Sequence, residues 1–152
     1  MPLLKGIDPL LTPELLRTMA EMGHDDTLVL VDANFTAIRL AGTKPIIRLA
    51  GAGMARAVQA VVSLLPLVAD EPHPVAYMQV SGTPQHYRSA LQREVLALVE
   101  PQFLAGQTAE AVERFAFYER VRNAFAIVIT AELQPYANFL LRKGVIGENL
   151  RP

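Results

Sequence analysis

The sequence predicts a single α/β domain, a β-sheet with helices on both faces. Short apolar, β-branched runs recur along the chain, among them TLVLV (27–31), VAYMQV (75–80) and AIVIT (126–130). Uninterrupted apolar runs are what strands covered on both faces show. Between them lie stretches whose apolar residues return every three or four positions, as on one side of a helix. Strands separated by helices build a sheet packed between helical layers. Size agrees: 152 residues, 51% of them hydrophobic, suffice for one core, so the domain spans 1–152.

Each element has a local reason. Thr12 and Pro13 begin the first helix, a hydroxyl to cap followed by a residue with no N–H to leave unpaired. Leu15, Leu16, Met19 and Ala20 give it an apolar face, and Gly23 is suited to end it. TLVLV follows as a buried strand. KPIIRLAG (44–51) reads as a short strand or extended segment. MARAVQAVVSLLPL (54–67) is a helix with Met54, Val58, Val61, Val62 and Leu65 on one side. After VAYMQV, residues 85–99 form an amphipathic helix through Leu91, Val95 and Leu98. AEAVERF (109–115) alternates like a half-buried strand, FYERVRNAF (117–125) reads as a short helix, and AIVIT as a strand. FLLRKGV (139–145) closes the fold as a strand, and ENLRP (148–152) trails off. The pattern leaves the strand order open.

Composition narrows the function. A formal net charge of −1 with 19% charged residues lacks the basic excess of a nucleic-acid or membrane-surface binder. With no cysteine, disulfides, thiol chemistry and cysteine zinc sites are excluded. Pro2, Gly6, Asp8 and Pro9 break the N-terminus, so it is not a signal peptide. The longest uncharged apolar stretch, AVQAVVSLLPLVA (57–69), is too short to span a bilayer and contains Pro66. A soluble, cytoplasmic protein is expected.

In open α/β sheets ligands gather at the carboxyl ends of strands, and Asp32 stands at such an end. Of the three histidines, His73 sits in a Pro-flanked turn and His86 in a polar, solvated stretch. His24 follows a glycine and precedes a buried strand. It either complements the helix dipole there or takes part in function. Asp25 and Asp26 beside it read as a solvated turn, and further ligands at metal spacing are missing, so no metal is expected. In GAG (51–53) the third glycine of a phosphate loop is absent, since position 56 is Arg56; these glycines shape the start of the next helix. Ser63, Ser81 and Ser89 lack a nucleophile-elbow context. Tyr118, Glu119 and Arg120 read as the surface of a short helix, and PYAN (135–138) as a turn.

Taken in order, GIDPLLTPELLRTMAEMGHDDTLVLVDANF and RFAFYERVRNAFAIVITAELQPYANFLLRKGV resemble the ribose pyranase and fucose mutarotase family. The spacing of GH, the strand ending in DA, FYER, YAN and the closing KGV matches from about residue 3 to 145, weakest between about 66 and 108. RFAFYER favours the fucose branch. The resemblance implies a mixed β-sheet and a ring-like homo-oligomer, commonly a homodecamer, with sites at subunit interfaces. It implies a cofactor-independent isomerase that interconverts the anomers of a free monosaccharide, L-fucose or a related aldose. The alternatives are a pyranase for D-ribose or a non-catalytic monosaccharide-binding module. By the same resemblance His24 is the catalytic proton donor. Asp32, Arg114, Tyr136, Ala137 and Asn138 contact the sugar, and Tyr118 adds a hydroxyl near the ring. Two positions depart from the fucose branch: Asn34 stands where many members have histidine, and Thr36 where they have proline. The first bears on the choice of sugar.

The chemistry suits these residue types. Opening a cyclic hemiacetal needs a proton delivered to the ring oxygen and another taken from the anomeric hydroxyl. Imidazole, with an unperturbed pKa of about 6.5, can do both near neutrality. A carboxylate accepts from sugar hydroxyls or orients the imidazole, and a guanidinium offers a rigid fork of donors.

Overall fold

The structure, a computed structural model, describes residues 3–147, so ENLRP (148–152) lies outside it. Among the described residues the order is α1 (Pro13–Glu21), β1 (Thr27–Val31), α2 (Ala37–Ala41), β2 (Ile46–Leu49), α3 (Met54–Val62), β3 (Val75–Met78), α4 (Ala90–Val99), β4 (Glu110–Val112), α5 (Arg114–Arg122), β5 (Ala126–Thr130) and β6 (Phe139–Arg142). The strands form one sheet in the order β2-β5-β1-β6-β3-β4. β6 pairs antiparallel with β1 and β3, and the remaining pairs are parallel, so the sheet is mixed. One edge of the sheet therefore collects the carboxyl ends of five strands and the amino end of β6.

β1 shows why the core has two halves. Leu28 and Leu30 pack toward α1, α3 and α4, while Val29 and Val31 pack toward α2 and α5. All four are fully buried, each burial stabilising the fold by about 1.5–3 kcal/mol. Helices cover both faces, as the apolar strand predicts. Among the described residues, no helix is long and apolar enough to cross a membrane.

Several boundaries differ from the sequence reading, each for a local reason. α1 is capped as expected, Thr12 Oγ1 accepting the Leu15 N–H at 3.1 Å. It stops at Glu21 with Met22 extended, so Gly23 does not terminate it. Lys143 Nζ, at 2.6 Å from both the Met19 and Met22 carbonyls, satisfies the helix end instead. α3 ends at Val62 rather than 67, because the proline at 66 disfavours helix at Leu65. The GAG segment does shape its start: Gly53 is the N-cap, and Glu132 Oε1 accepts the Met54 N–H at 3.1 Å.

α4 begins at Ala90, not 85. Ser89 and Gln92 form a reciprocal capping box, and His86 before it is left-handed at φ 70°. The expected strand 109–115 is cut to Glu110–Val112 because Glu113 caps α5, which thus starts at Arg114 instead of 117. α2 occupies a stretch for which no element is expected. β6 ends at Arg142, beyond which Lys143 makes one isolated bridge to Leu67. At Gly144 a Cβ would stand 2.3 Å from the Leu67 carbonyl oxygen, so that approach excludes any side chain.

Candidate functional site

β1 delivers Asp32 to the carboxyl edge, where it is 5% exposed. Its N–H donates to Asn138 Oδ1 at 2.9 Å, and its own Oδ1 accepts the Asn34 N–H at 2.9 Å. Burial pushes the Asp32 carboxyl above the usual carboxylate range. Hydrogen bonds from Asn34, Asn138 and Phe35 oppose that rise, and the nearby charge of Glu132 adds to it. Asn138, at the amino end of β6, is 2% exposed. Its carbonyl accepts the Met78 N–H at 3.2 Å, tying it to the end of β3.

α5 supplies the next pair. Glu113 Oε2 accepts the Phe115 and Ala116 N–H groups at 2.9 and 3.0 Å, which holds its carboxyl below the usual range and fixes Arg114 as the first helical residue. One turn on, Tyr118 Oη accepts from Arg114 Nε at 2.9 Å. The guanidinium also lies 5.6 Å from the Tyr118 ring and 5.3 Å from the Phe115 ring. Phe35 meets Tyr118 edge-on at 5.6 Å, bracing the phenol.

Tyr136 is held at φ 58° in the left-handed region, where a residue with a Cβ bears a strain of order 1–3 kcal/mol. Such strain persists only where the surroundings determine it. Here the Tyr136 carbonyl accepts from Gln92 Nε2 at 3.0 Å.

Together these residues line an open pocket of about 180 Å³, with Asp32, Asn34, Arg114, Tyr118, Tyr136 and Asn138 as polar groups and Phe35, Met78 and Pro135 as apolar walls. Five of the residues expected from the sequence thus converge: Asp32, Arg114, Tyr118, Tyr136 and Asn138. Ala137 is fully buried and does not line the pocket. The walls Phe35, Met78 and Pro135 were not singled out from the sequence. For Met78 a signal existed, since VAYMQV ends at the same sheet edge as TLVLV.

His24 stands elsewhere. It precedes β1 whereas Asp32 follows it, and five strand residues at about 3.3 Å each separate the two by roughly 17 Å. Its Nε2 lies 3.2 Å from Asp70 Oδ1, and both side chains are exposed. Lys143 serves the carbonyls at the end of α1, so His24 is not a helix-end ligand. The adjacent acids are spent on the turn: Asp26 Oδ2 accepts the Gly23 N–H at 2.6 Å, and Asp25 Oδ1 accepts from Arg142 at 3.2 Å. A second cavity, about 460 Å³ and mainly apolar, opens at this amino edge between α1, Leu64–Pro66 and Lys143. Its one ionisable group, Lys143, is already bonded to two carbonyls. It offers no further acid or base, and the polar pocket at the opposite edge is the functional candidate.

Known proteins resemble the chain along almost its whole length. The profile of the RbsD/FucU transport protein family matches residues 5–146. The chain is 40% identical to the human fucose mutarotase over 153 residues, covering 98% of each protein. It is 40% identical to the L-fucose mutarotase of Actinobacillus pleuropneumoniae serotype 5b over 144 residues, 94% of this chain and 97% of that one. The crystal structure of the Streptococcus pneumoniae fucose mutarotase in complex with L-fucose superposes with a TM-score of 0.84 at 33% identity, covering 95% of this chain and 100% of that one. With the family profile matching residues 5–146, a relative 40% identical over nearly the whole chain and a matching fold, this chain belongs to the RbsD/FucU family.

Proposed function

We propose that this protein is a cofactor-independent sugar mutarotase that interconverts the anomers of L-fucose or a related aldose, working in the cytoplasm as a ring-like homodecamer. The observation that carries the reading is the convergence of Asp32, Arg114, Tyr118, Tyr136 and Asn138 in one small pocket, in a chain whose human and Actinobacillus relatives are named fucose mutarotases. A monosaccharide presents a ring of hydroxyls with one apolar face. The pocket answers with a carboxylate acceptor, a guanidinium, two phenols and two amides beside the walls of Phe35 and Met78.

In this reading Asp32 accepts from sugar hydroxyls. Arg114 donates from its terminal nitrogens, since its Nε is engaged by Tyr118. Tyr118, Tyr136 and Asn138 fix the ring, and buried Ala137 only spaces the last two along the loop. The proton chemistry falls to His24 of a neighbouring copy of the chain, because its own copy stands at the far end of β1. His24 gives a proton to the ring oxygen as the bond between that oxygen and the anomeric carbon breaks, and water takes the proton of the anomeric hydroxyl. The carbonyl carbon rotates in the open aldehyde, and reclosure on the other face returns both protons. Asp70 Oδ1, 3.2 Å from Nε2, is placed to orient the imidazole.

Two-dimensional exchange NMR on equilibrated sugars tests the reading. Faster anomer exchange is expected for L-fucose or a close aldose in a panel that includes D-ribose. Accelerated pyranose–furanose exchange of D-ribose alone would make the protein a pyranase. Binding by calorimetry without faster exchange would make it a binding module, and the distance of His24 from the pocket within one chain predicts that behaviour for an isolated monomer.

A further inference from the structure

The side chain of Gln92 is fully buried on α4, on the side where that helix otherwise packs Val95, Leu96 and Val99 into the core. A buried amide among apolar neighbours is unfavourable unless its polar atoms are satisfied. Those of Gln92 are satisfied in a particular way. Nε2 donates to the Met78 carbonyl at 2.7 Å and to the Tyr136 carbonyl at 3.0 Å, and Oε1 accepts the Ser89 N–H at 3.0 Å. The orientation of the amide is dictated, because a flipped group would set its oxygen against two carbonyl oxygens.

Both carbonyls belong to the pocket's frame. Met78 closes β3, and its N–H is bonded to the Asn138 carbonyl. Tyr136 is the left-handed residue of the loop before β6. Asn138, two residues on, holds the Asp32 N–H. One amide outside the pocket thus clamps the strained loop to the end of β3, and the loop carries two of the pocket's polar side chains.

We propose that Gln92 is a positioning residue for sugar turnover: its amide holds the Tyr136 backbone in the left-handed turn that sets Tyr136 and Asn138 against the sugar. The inference rests on the pocket being a sugar site, as proposed above. Gln92→Met keeps the volume and removes the clamp. Ser89→Ala removes the hydroxyl half of the capping box and leaves the backbone N–H and the clamp in place, so it reports what weakening α4 does by itself.

The test is exchange NMR over a range of L-fucose concentrations on parent, Gln92→Met and Ser89→Ala, with melting temperature and assembly recorded for each. Gln92→Met is expected to raise the half-saturating L-fucose concentration and slow exchange, by about ten- to a hundredfold together. Ser89→Ala is expected to melt earlier with parental sugar dependence. Parental sugar dependence in both variants, with only the melting temperature lowered, would overturn the proposal. If Gln92→Met does not fold, Gln92→Asn takes its place, a shorter amide withdrawn from both carbonyls. A chain that folds with neither makes Gln92 a folding residue and overturns the proposal as well. Should the parent itself show no exchange, the mutarotase reading fails, and L-fucose calorimetry on the same proteins decides the role of Gln92. A parent that neither exchanges nor binds the sugar overturns both.

Discussion

At the carboxyl edge of the sheet, Asp32 and Asn138 are 5% and 2% exposed and are locked to one another through the Asp32 N–H. At the amino edge, His24 and Asp70 face each other at 3.2 Å with both side chains exposed. The same five-residue strand supports both ends. The buried end is preorganised: a ligand finds its partners already in place, and the cost of ordering them is met in folding. The exposed end is suited to being presented to another surface. In the proposed reading a single chain carries two half-sites facing opposite ways, and the ring brings the histidine of one copy to the pocket of the next.

Substitutions should separate the two edges by what they change. His24→Ala is expected to have the largest effect, slowing exchange by about 10²–10⁴-fold while L-fucose still binds in calorimetry. Loss of binding together with exchange would place the histidine in recognition instead.

Asp32→Asn should act first on affinity. Removing a hydrogen-bonding charge, worth about 1.5–3 kcal/mol, weakens sugar binding by about ten- to a hundredfold. The same variant has a signature in stability. Burial raises the Asp32 pKa in the folded state above its unfolded value, so the ionised carboxylate works against folding. That penalty is absent below the unfolded pKa and complete above the folded one. Asp32→Asn should therefore melt at or above the parent at neutral pH, the gap closing as pH falls through the folded-state value. In the parent, sugar binding should fade on acidification at a higher pH than an ordinary aspartate would give. A variant less stable than the parent at neutral pH and no more stable at low pH would contradict this.

Tyr118→Phe should have the smallest effect. It removes the partner of Arg114 Nε at an exposed position, and a net loss of about 0.5–1.5 kcal/mol corresponds to a few- to tenfold rise in the half-saturating sugar concentration. No change in any exchange parameter would take the phenol out of the site.

How far the sequence reaches follows the same division. The type of each strand was legible because apolar runs such as TLVLV and AIVIT leave one interpretation once both faces are buried. Boundaries failed where a side chain reached back to the backbone. Glu113 turned an alternating strand pattern into a helix cap, and Ser89 with Gln92 moved the start of α4; the S-x-x-Q spacing was there to be read. α2 is too short to show a period. In the site, Asp32 was legible from its place at a strand end, and Tyr136 and Asn138 from the order of the motifs. The distance of His24 from them was also present, since a five-residue strand lies between. The proposed sharing of the site between copies came only with the family resemblance, which implies sites at subunit interfaces, because no local pattern encodes a quaternary neighbour. Gln92 looks like one half of a helix cap in sequence, and its grip on Tyr136 exists only once the loop before β6 folds against the end of β3.

The central claim, that each site is shared between copies, is tested most directly by mixing. His24→Ala and Asp32→Ala chains, each strongly impaired alone at a sub-saturating sugar concentration, would be unfolded together at equal amounts, reassembled, and assayed by exchange NMR at that concentration. Random assembly around a ring leaves about a quarter of the interfaces with an intact histidine facing an intact aspartate, so about a quarter of the parental exchange rate should return. Mixed rings that form and remain inactive would contradict a shared site and return the chemistry to a single chain.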